Sequence, residues 1–223
     1  NETPMDTTEA VLSRLLTIAT ASSATPEATP TKPPTKPRFK LASVLGWLQI
    51  KSIDDPEWTA ATRAMISLLN AWHRNDRTMP RLVIIGDAGS GKTTLATGAY
   101  RVAATHGVEA WTDGGWPRPA TASCHRWSEL LDSRGEVFQD ACRSDFAVID
   151  DIGAEVDQFR AGGMTEKLAS LLEHRRNKFS IITTNIPRAQ WAFRWDKRVE
   201  SRLYHRAVIT ELSGKTDLRR SQL

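Results

Sequence analysis

Two spacings of apolar residues alternate along the chain, and they predict alternating strands and helices. Short, continuous apolar runs rich in β-branched residues predict buried strands at 81–86 (RLVIIG), 146–150 (FAVID) and 179–184 (FSIITT). Weaker strands are expected near 118–123 and 207–212. Because helical patterns separate these runs, the chain is expected to form a parallel sheet of about five strands covered by helices.

The clearest helical pattern precedes the first strand. Apolar residues recur every three or four positions from Trp58 to Trp72, Pro56 stands in the first turn, and Asp54 or Asp55 is available as a cap. The sequence therefore predicts a helix here, packed through its apolar face.

The first 38 residues have a different character. Residues 1–20 contain a short amphipathic pattern, and 21–38 are rich in Pro, Thr and Lys, which predicts an extended, flexible linker. The folded domain is expected at 39–223. The N-terminal helix either has no task of its own or docks onto a partner, since a solitary apolar stripe needs a surface to bury it.

Composition and charge narrow the class of protein. Apolar residues make up 40% and charged residues 25% of the chain, and no apolar run approaches the roughly 18 residues that span a bilayer. The two cysteines, Cys124 and Cys142, have no metal-ligand spacing, which favours free thiols in the cytoplasm. The net charge of +4 conceals an uneven distribution, because the segment 174–223 holds twelve Lys or Arg against four Asp or Glu. A polyanionic partner is compatible with that excess of eight.

The stretch GDAGSGKTT, at 86–94, has the spacing G-x-x-x-x-G-K-[ST] of a phosphate-binding loop, although a Gly-rich turn that merely joins two elements is the alternative. Backbone amides and the start of the next helix would hold the phosphates of ATP. Lys92 would reach the terminal phosphates, and the hydroxyl of Thr93 would bind Mg²⁺. The predicted nucleotide contacts in this loop are Gly86, Asp87, Ala88, Gly89, Ser90, Gly91, Lys92, Thr93 and Thr94.

Polar residues at the ends of two later strands supply candidates for hydrolysis. Asp150 is predicted to bind the metal, and Asp151 to act as the base toward attacking water. Asn185 follows the strand 179–184 and is positioned to orient water near the γ-phosphate. The alternatives are two acids that solvate a strand end and a turn residue that precedes Pro187.

Two arginines four residues apart, Arg198 and Arg202, lie on one face of a predicted helix. A solvated basic face is the simple interpretation. The functional one is an arginine finger, a guanidinium delivered by a neighbouring subunit to stabilise the charge of the transition state.

Together the ordered motifs GDAGSGKT, FAVIDDIGAE, IITTN and DKRVESRL resemble the AAA+ ATPases of the DnaC-like helicase loaders and the IstB-like transposition helpers, over about residues 80–220. The resemblance implies a P-loop NTPase of three αβα layers, a five-stranded parallel sheet in the order 5-1-4-3-2, ATP at subunit boundaries, and rings or spirals on DNA. It also implies roles for individual residues: Lys92 and Thr93 for phosphate and Mg²⁺, Asp150 for the metal, Asp151 as base, Asn185 as polar sensor, Arg202 as the finger, and Arg219 or Arg220 as a sensor in the same subunit. Many relatives carry glutamate where Asp151 stands, so slow turnover is expected.

A segment with interleaved aromatic and basic residues, 111–131, offers candidates for single-stranded DNA. Arg118, His125 and Arg126 are the predicted DNA contacts, whereas Trp127 is expected to pack a helix onto the sheet.

Three classes of function fit these motifs. The favoured one is an ATPase that assembles on single-stranded DNA and loads a replicative helicase, with an IstB-like helper of a transposase as its close alternative. A small-molecule P-loop kinase and an adaptor that binds ATP but barely hydrolyses it are the other two.

Overall fold

The computed structural model describes residues 39–40, 56–106, 109–111, 117–132, 135–154 and 163–212. The predicted N-terminal helix (1–20), the linker (21–38), and the sensor candidates Arg219 and Arg220 lie outside these ranges.

The described elements alternate between strands and helices as the apolar pattern predicts. The strands are β1 (Arg81–Gly86), β2 (Glu109–Trp111), β3 (Pro117–Pro119), β4 (Ala122–Arg126), β5 (Phe146–Ile152), β6 (Phe179–Thr184) and β7 (Ala207–Leu212). The helices are α1 (Pro56–His73), α2 (Lys92–Thr105), α3 (Trp127–Asp132), α4 (Glu136–Arg143), α5 (Gly163–His174), α6 (Trp191–Arg194) and α7 (Lys197–Tyr204), with one 3₁₀ turn at Arg188–Gln190. None of the described helices has both the length and the apolar character needed to cross a membrane.

The central sheet consists of five parallel strands in the spatial order β4-β5-β6-β1-β7. Numbered within this sheet alone, from first to fifth along the chain, the order is 5-1-4-3-2, as expected for the fold class. Since β6 lies between β5 and β1, the carboxyl ends of these three strands are neighbours.

The structure differs from the sequence prediction at the second strand of the sheet. Instead of one strand at 118–123, β3 pairs antiparallel with β2 as a separate two-stranded ribbon, and the sheet strand β4 begins at Ala122. Pro117 and Pro119 have no backbone N–H to donate, which suits a short ribbon better than a continuous sheet strand.

Alternate side chains of the inner strands pack against two different helical layers. Leu82 and Ile84 of β1 belong to one apolar core with α1 and α2, whereas Val83 and Ile85 belong to another with residues of α3, α5 and α7. Because successive side chains of a strand point to opposite faces, both faces of the sheet are covered by helices, which is the predicted three-layer arrangement. Trp127 is 1% exposed and lies in the second core, which confirms its predicted packing role.

Two arginines are buried near the amino ends of the strands. Arg175 donates to the carbonyl oxygens of Ala141, Ser144 and Phe179, and Arg81 donates to those of Leu172, Arg175 and Arg202. Burial lowers the pKa of Arg81 to about 10 and that of Arg175 to about 9. Both guanidinium groups thus cross-link helices through backbone carbonyls.

Candidate functional site

The glycine loop connects β1 to α2 and depends on its glycines for two separate reasons. Gly89 and Gly91 have φ angles of 83° and 89°, in the left-handed region that disfavours any side chain. A Cβ at Gly86 would lie 2.5 Å from the carbonyl oxygen of Leu212, so this glycine is required by the neighbouring strand β7. The loop is therefore fixed both by its own backbone and by the edge of the sheet.

Lys92 is the first residue of α2 and is buried at the loop. Its Nζ donates to the carbonyl oxygens of Gly86 and Asp87, at 2.7 and 2.8 Å. The ammonium group is therefore held within the loop, where the positive end of a helix also points. This combination of donors fits a bound phosphate.

Three oxygen-bearing side chains converge beside the loop. The Thr93 hydroxyl lies 3.1 and 3.0 Å from the two carboxylate oxygens of Asp150, and the Thr183 hydroxyl donates to Asp150 Oδ1 at 2.6 Å. Asp150 is 6% exposed, so its carboxylate depends on these partners. A hydroxyl and a carboxylate in contact at a phosphate loop are the ligand types that Mg²⁺ prefers. The residues present therefore fit the metal predicted from sequence.

A β-bulge separates the two adjacent acids. Ile149 and Ile152 pair with Ile182 and Thr184, so that Asp150 and Asp151 together face the single residue Thr183. Asp151 has a φ angle of 63°, an uncommon value that Asp tolerates better than most residues. The bulge leaves Asp151 exposed while Asp150 stays buried beside Thr93.

Thr183 holds this bulge together. Its Oγ1 accepts a hydrogen bond from the backbone N–H of Asp151 at 2.8 Å while its proton goes to Asp150. Sequence reasoning missed this residue. The available signal was a hydroxyl inside an apolar run, FSIITT, on a strand buried throughout.

Asn185 follows β6 directly and is exposed. Because β6 lies between the strand that ends in the loop and the strand that carries the acids, Asn185 leaves the sheet at the same edge as both.

Arg202 does not lie at the carboxyl ends of the strands, where the glycine loop and the acids are. Its backbone carbonyl accepts from Arg81, the first residue of β1, whereas the glycine loop follows the last residue of that strand. Six strand residues rise by about 17 Å, which separates the two ends. The Arg202 Nε donates to Glu173 Oε2 at 2.9 Å, and this bond lowers the pKa of the Glu173 carboxyl.

Arg198 lies one turn earlier on α7 and pairs with Asp196, the residue that caps this helix, at 2.9 Å. Arg198 and Arg202 line an open, basic depression of about 450 Å³ together with Arg81, Arg176, Lys197 and His205, with Glu173 as the acid among the lining residues.

The three predicted DNA contacts are spread over the domain. Arg118 makes two hydrogen bonds, of 2.7 and 2.8 Å, to Asp145 at the amino end of β5, and His125 Nε2 lies 2.9 Å from Asp140 on α4. Arg126 is exposed and ends β4 next to Asp150. Arg118 therefore lies near the amino ends of the sheet strands, and Arg126 near their carboxyl ends.

Comparison with known proteins supports the fold. No protein-family model matches the sequence, and no curated protein matches it. Among solved structures, the DnaC helicase loader superposes with a TM-score of 0.53 at 19% identity, covering 74% of this chain and 95% of that one. DnaI superposes with a TM-score of 0.57 at 18% identity, covering 78% and 95%.

A third similar structure is the replication initiator DnaA bound to AMPPCP and single-stranded DNA. Its TM-score is 0.50 at 16% identity, with 74% of this chain aligned to 49% of that one, so the chain spans about half of DnaA. At these identities the likeness defines the architecture, which agrees with the strand order and the glycine loop. The described chain has the fold of DnaC, DnaI and the aligned half of DnaA.

Proposed function

We propose that this chain is a DnaC-like AAA+ ATPase, which binds ATP with Mg²⁺ at the loop 86–94 and hydrolyses it between neighbouring copies. The observation that carries the proposal is the contact of Thr93 with Asp150 beside a lysine-bearing glycine loop. A phosphate loop alone requires only glycines and a helix start. A buried carboxylate held against the hydroxyl that follows the lysine is the arrangement that a bound divalent metal needs.

Each residue of the site has a distinct task in this proposal. Loop amides and Lys92 bind the phosphates, while Thr93 and Asp150 hold Mg²⁺, which neutralises the charge that develops on the phosphoryl oxygens. Asp151 accepts the proton of the attacking water, and Asn185 orients that water. The bulge supports this division, because it leaves one acid buried beside the metal position and the other exposed.

The finger is proposed to come from another copy. The position of Arg202 near the amino end of β1 supports action in trans, since its own glycine loop is at the far end of that strand. Both Arg202 and Arg198 face an open depression, so either guanidinium is accessible to a docking surface. The sensor roles of Arg219 and Arg220 stay predictions from the sequence motif.

The proposed task is assembly on single-stranded DNA and loading of a replicative helicase. Support comes from the fold shared with a helicase loader and with an initiator bound to single-stranded DNA. The excess of positive charge in 174–223 supports a polyanionic partner. Of the three candidate DNA contacts, Arg126 is the best supported, because it is exposed whereas Arg118 and His125 have acidic partners.

Steady-state ATPase assays with and without single-stranded DNA test the proposal. Lys92→Ala is expected to lose ATP binding and turnover, because the phosphates lose their cation. Arg202→Ala is expected to keep ATP binding and lose turnover by about 10³-fold, the effect typical of a finger. Arg176→Ala, which removes another arginine from the same depression, is the matched control and keeps its activity. Equal activity of the Arg202→Ala and Arg176→Ala proteins would show that Arg202 is not the finger. A loss of turnover in Arg198→Ala would then identify Arg198 as the finger.

A further inference from the structure

A tryptophan outside the sequence motifs is bonded to the glycine loop. Trp58 lies in the first turn of α1, is 9% exposed, and donates from its indole Nε1 to the backbone carbonyl of Ser90 at 2.9 Å. The two residues are 32 positions apart in the chain, so this bond is a tertiary contact between a helix and the loop.

The bond acts at the most constrained point of the loop. Ser90 stands between Gly89 and Gly91, both in the left-handed region, and the residue is 3% exposed. Its N–H already donates to the Asp87 carbonyl at 3.2 Å, which closes the turn. The backbone conformation of Gly89 and Gly91 thus directs the Ser90 carbonyl at the indole of Trp58. Rotating the peptide of Ser90 would break the bond with Trp58 and redirect the neighbouring amides.

The helix that carries Trp58 is well anchored. At its other end, the Asn70 side chain exchanges two hydrogen bonds with the backbone of Phe39, at 3.0 and 3.1 Å. Its buried face belongs to the same apolar core as Leu82 of β1 and Leu95 of α2, the two elements that flank the loop. A donor on such a helix is held in place before any nucleotide arrives.

From these contacts we infer that Trp58 is a positioning residue of the phosphate loop. It fixes the Ser90 peptide so that the loop amides are already directed toward the phosphates. A loop that is already ordered loses less conformational entropy when nucleotide binds, so this preorganisation raises the affinity for nucleotide. The inference rests on the proposed binding of ATP at this loop and adds a residue from α1 to the site.

Trp58→Phe tests the inference, with Trp72→Phe as the matched control. Both changes remove an indole from a buried position of α1, but Trp72 packs edge-on against Phe146, with ring centroids 5.4 Å apart. Both variants are expected to unfold at a lower temperature. Only Trp58→Phe is expected to weaken ATP and ADP binding, by about tenfold, because an unpartnered buried carbonyl frees the loop to change conformation.

The dependence on phosphate provides a readout that a general loss of stability would not give. The affinity ratio of ATP over AMP is expected to fall in Trp58→Phe and to stay unchanged in Trp72→Phe. If both variants show the same ATP affinity and the same ratio, Trp58 is only a core residue and the inference fails. If the unmodified chain binds no ATP, the proposed function itself fails, which is a separate result.

A second variant covers the case in which Trp58→Phe does not fold. Benzothienylalanine at position 58 keeps the two fused rings and replaces the indole N–H by sulfur. The inference predicts weaker ATP binding by a folded protein, whose unfolding temperature falls only by the effect of one lost hydrogen bond because the ring packing is kept. Unchanged ATP binding by this protein overturns the inference.

Discussion

At the scale of single residues, Thr183 organises both acids of the site. Thr183→Val keeps the shape of the side chain but removes the bond to Asp150 and leaves the Asp151 N–H without a partner. We expect the free energy of unfolding to fall by about 1–3 kcal/mol and Mg²⁺-dependent ATPase activity to fall by at least about tenfold. Denaturant unfolding and steady-state kinetics measure the two effects.

Thr184→Val is the control for this change. Its hydroxyl bonds to the Ile152 carbonyl and the Ile186 N–H, without contacting Asp150. A similar loss of stability is expected, with ATPase activity retained. Equal kinetic losses in the two variants would show that Thr183 acts only through stability.

The ion pair of Arg118 with Asp145 predicts a pH dependence of stability. Burial raises the pKa of the Asp145 carboxyl, but hydrogen bonds from Arg118 and Thr121 outweigh this and lower it below its ordinary value near 3.8. A carboxyl whose pKa is lower in the folded state stabilises the fold above its unfolded pKa and loses that effect as the pH falls through its folded value. We therefore expect the advantage of the unmodified chain over Asp145→Asn to be constant near neutral pH and to decrease progressively as the pH falls below about 4.

Chemical denaturation between pH 3 and 7 checks this expectation. Asp132→Asn, which changes an exposed acid, is expected to show no such trend. A difference between the unmodified chain and Asp145→Asn that grows toward acid pH would contradict the assigned shift.

Residue-level reasoning from sequence predicted the chemistry of the loop and the acids, because the spacing itself requires glycines, a lysine and a hydroxyl. Thr183 and Trp58 were not predicted, because their partners are 33 and 32 positions away and only the folded chain brings them together. Likewise, Arg118 was predicted to contact DNA from its basic and aromatic neighbours along the chain, and only the fold brings it to Asp145.

At the scale of elements, Arg175 joins α4, the end of α5 and the start of β6. It is 1% exposed and bonds to three backbone carbonyls and to the Ser180 hydroxyl. Arg175→Met leaves these acceptors buried, so we expect a loss of roughly 2–4 kcal/mol in the free energy of unfolding. The adjacent Arg176 is exposed, and Arg176→Met is expected to stay within about 0.5 kcal/mol of the unmodified chain. Similar unfolding curves for the two variants would contradict the structural role of Arg175.

The strong strands β1, β5 and β6 were predictable because each contains a short apolar run rich in β-branched residues, and β7 was placed correctly by a weaker pattern. The ribbon β2-β3 was missed. Each of its two strands is only three residues long, and an alternation of apolar and polar residues is not detectable over that length.

At the scale of the whole molecule, the strand order was implied by the resemblance of the ordered motifs to a known family, and the structure confirms it. Which surface meets another copy does not follow from one chain, because it depends on complementarity between two surfaces. The single chain has the glycine loop at the carboxyl ends of the sheet strands and a basic depression near their amino ends. That arrangement favours head-to-tail contact, in which each copy completes the site of the next.

Mixing two inactive variants tests this central claim most directly. Lys92→Ala lacks the phosphate cation but keeps Arg202, whereas Arg202→Ala keeps an intact loop. If ATP is hydrolysed between copies, an equal mixture regains activity, reaching about a quarter of the unmodified value when copies pair at random. If hydrolysis takes place within one copy, the mixture stays as inactive as the separate variants, and the account is contradicted.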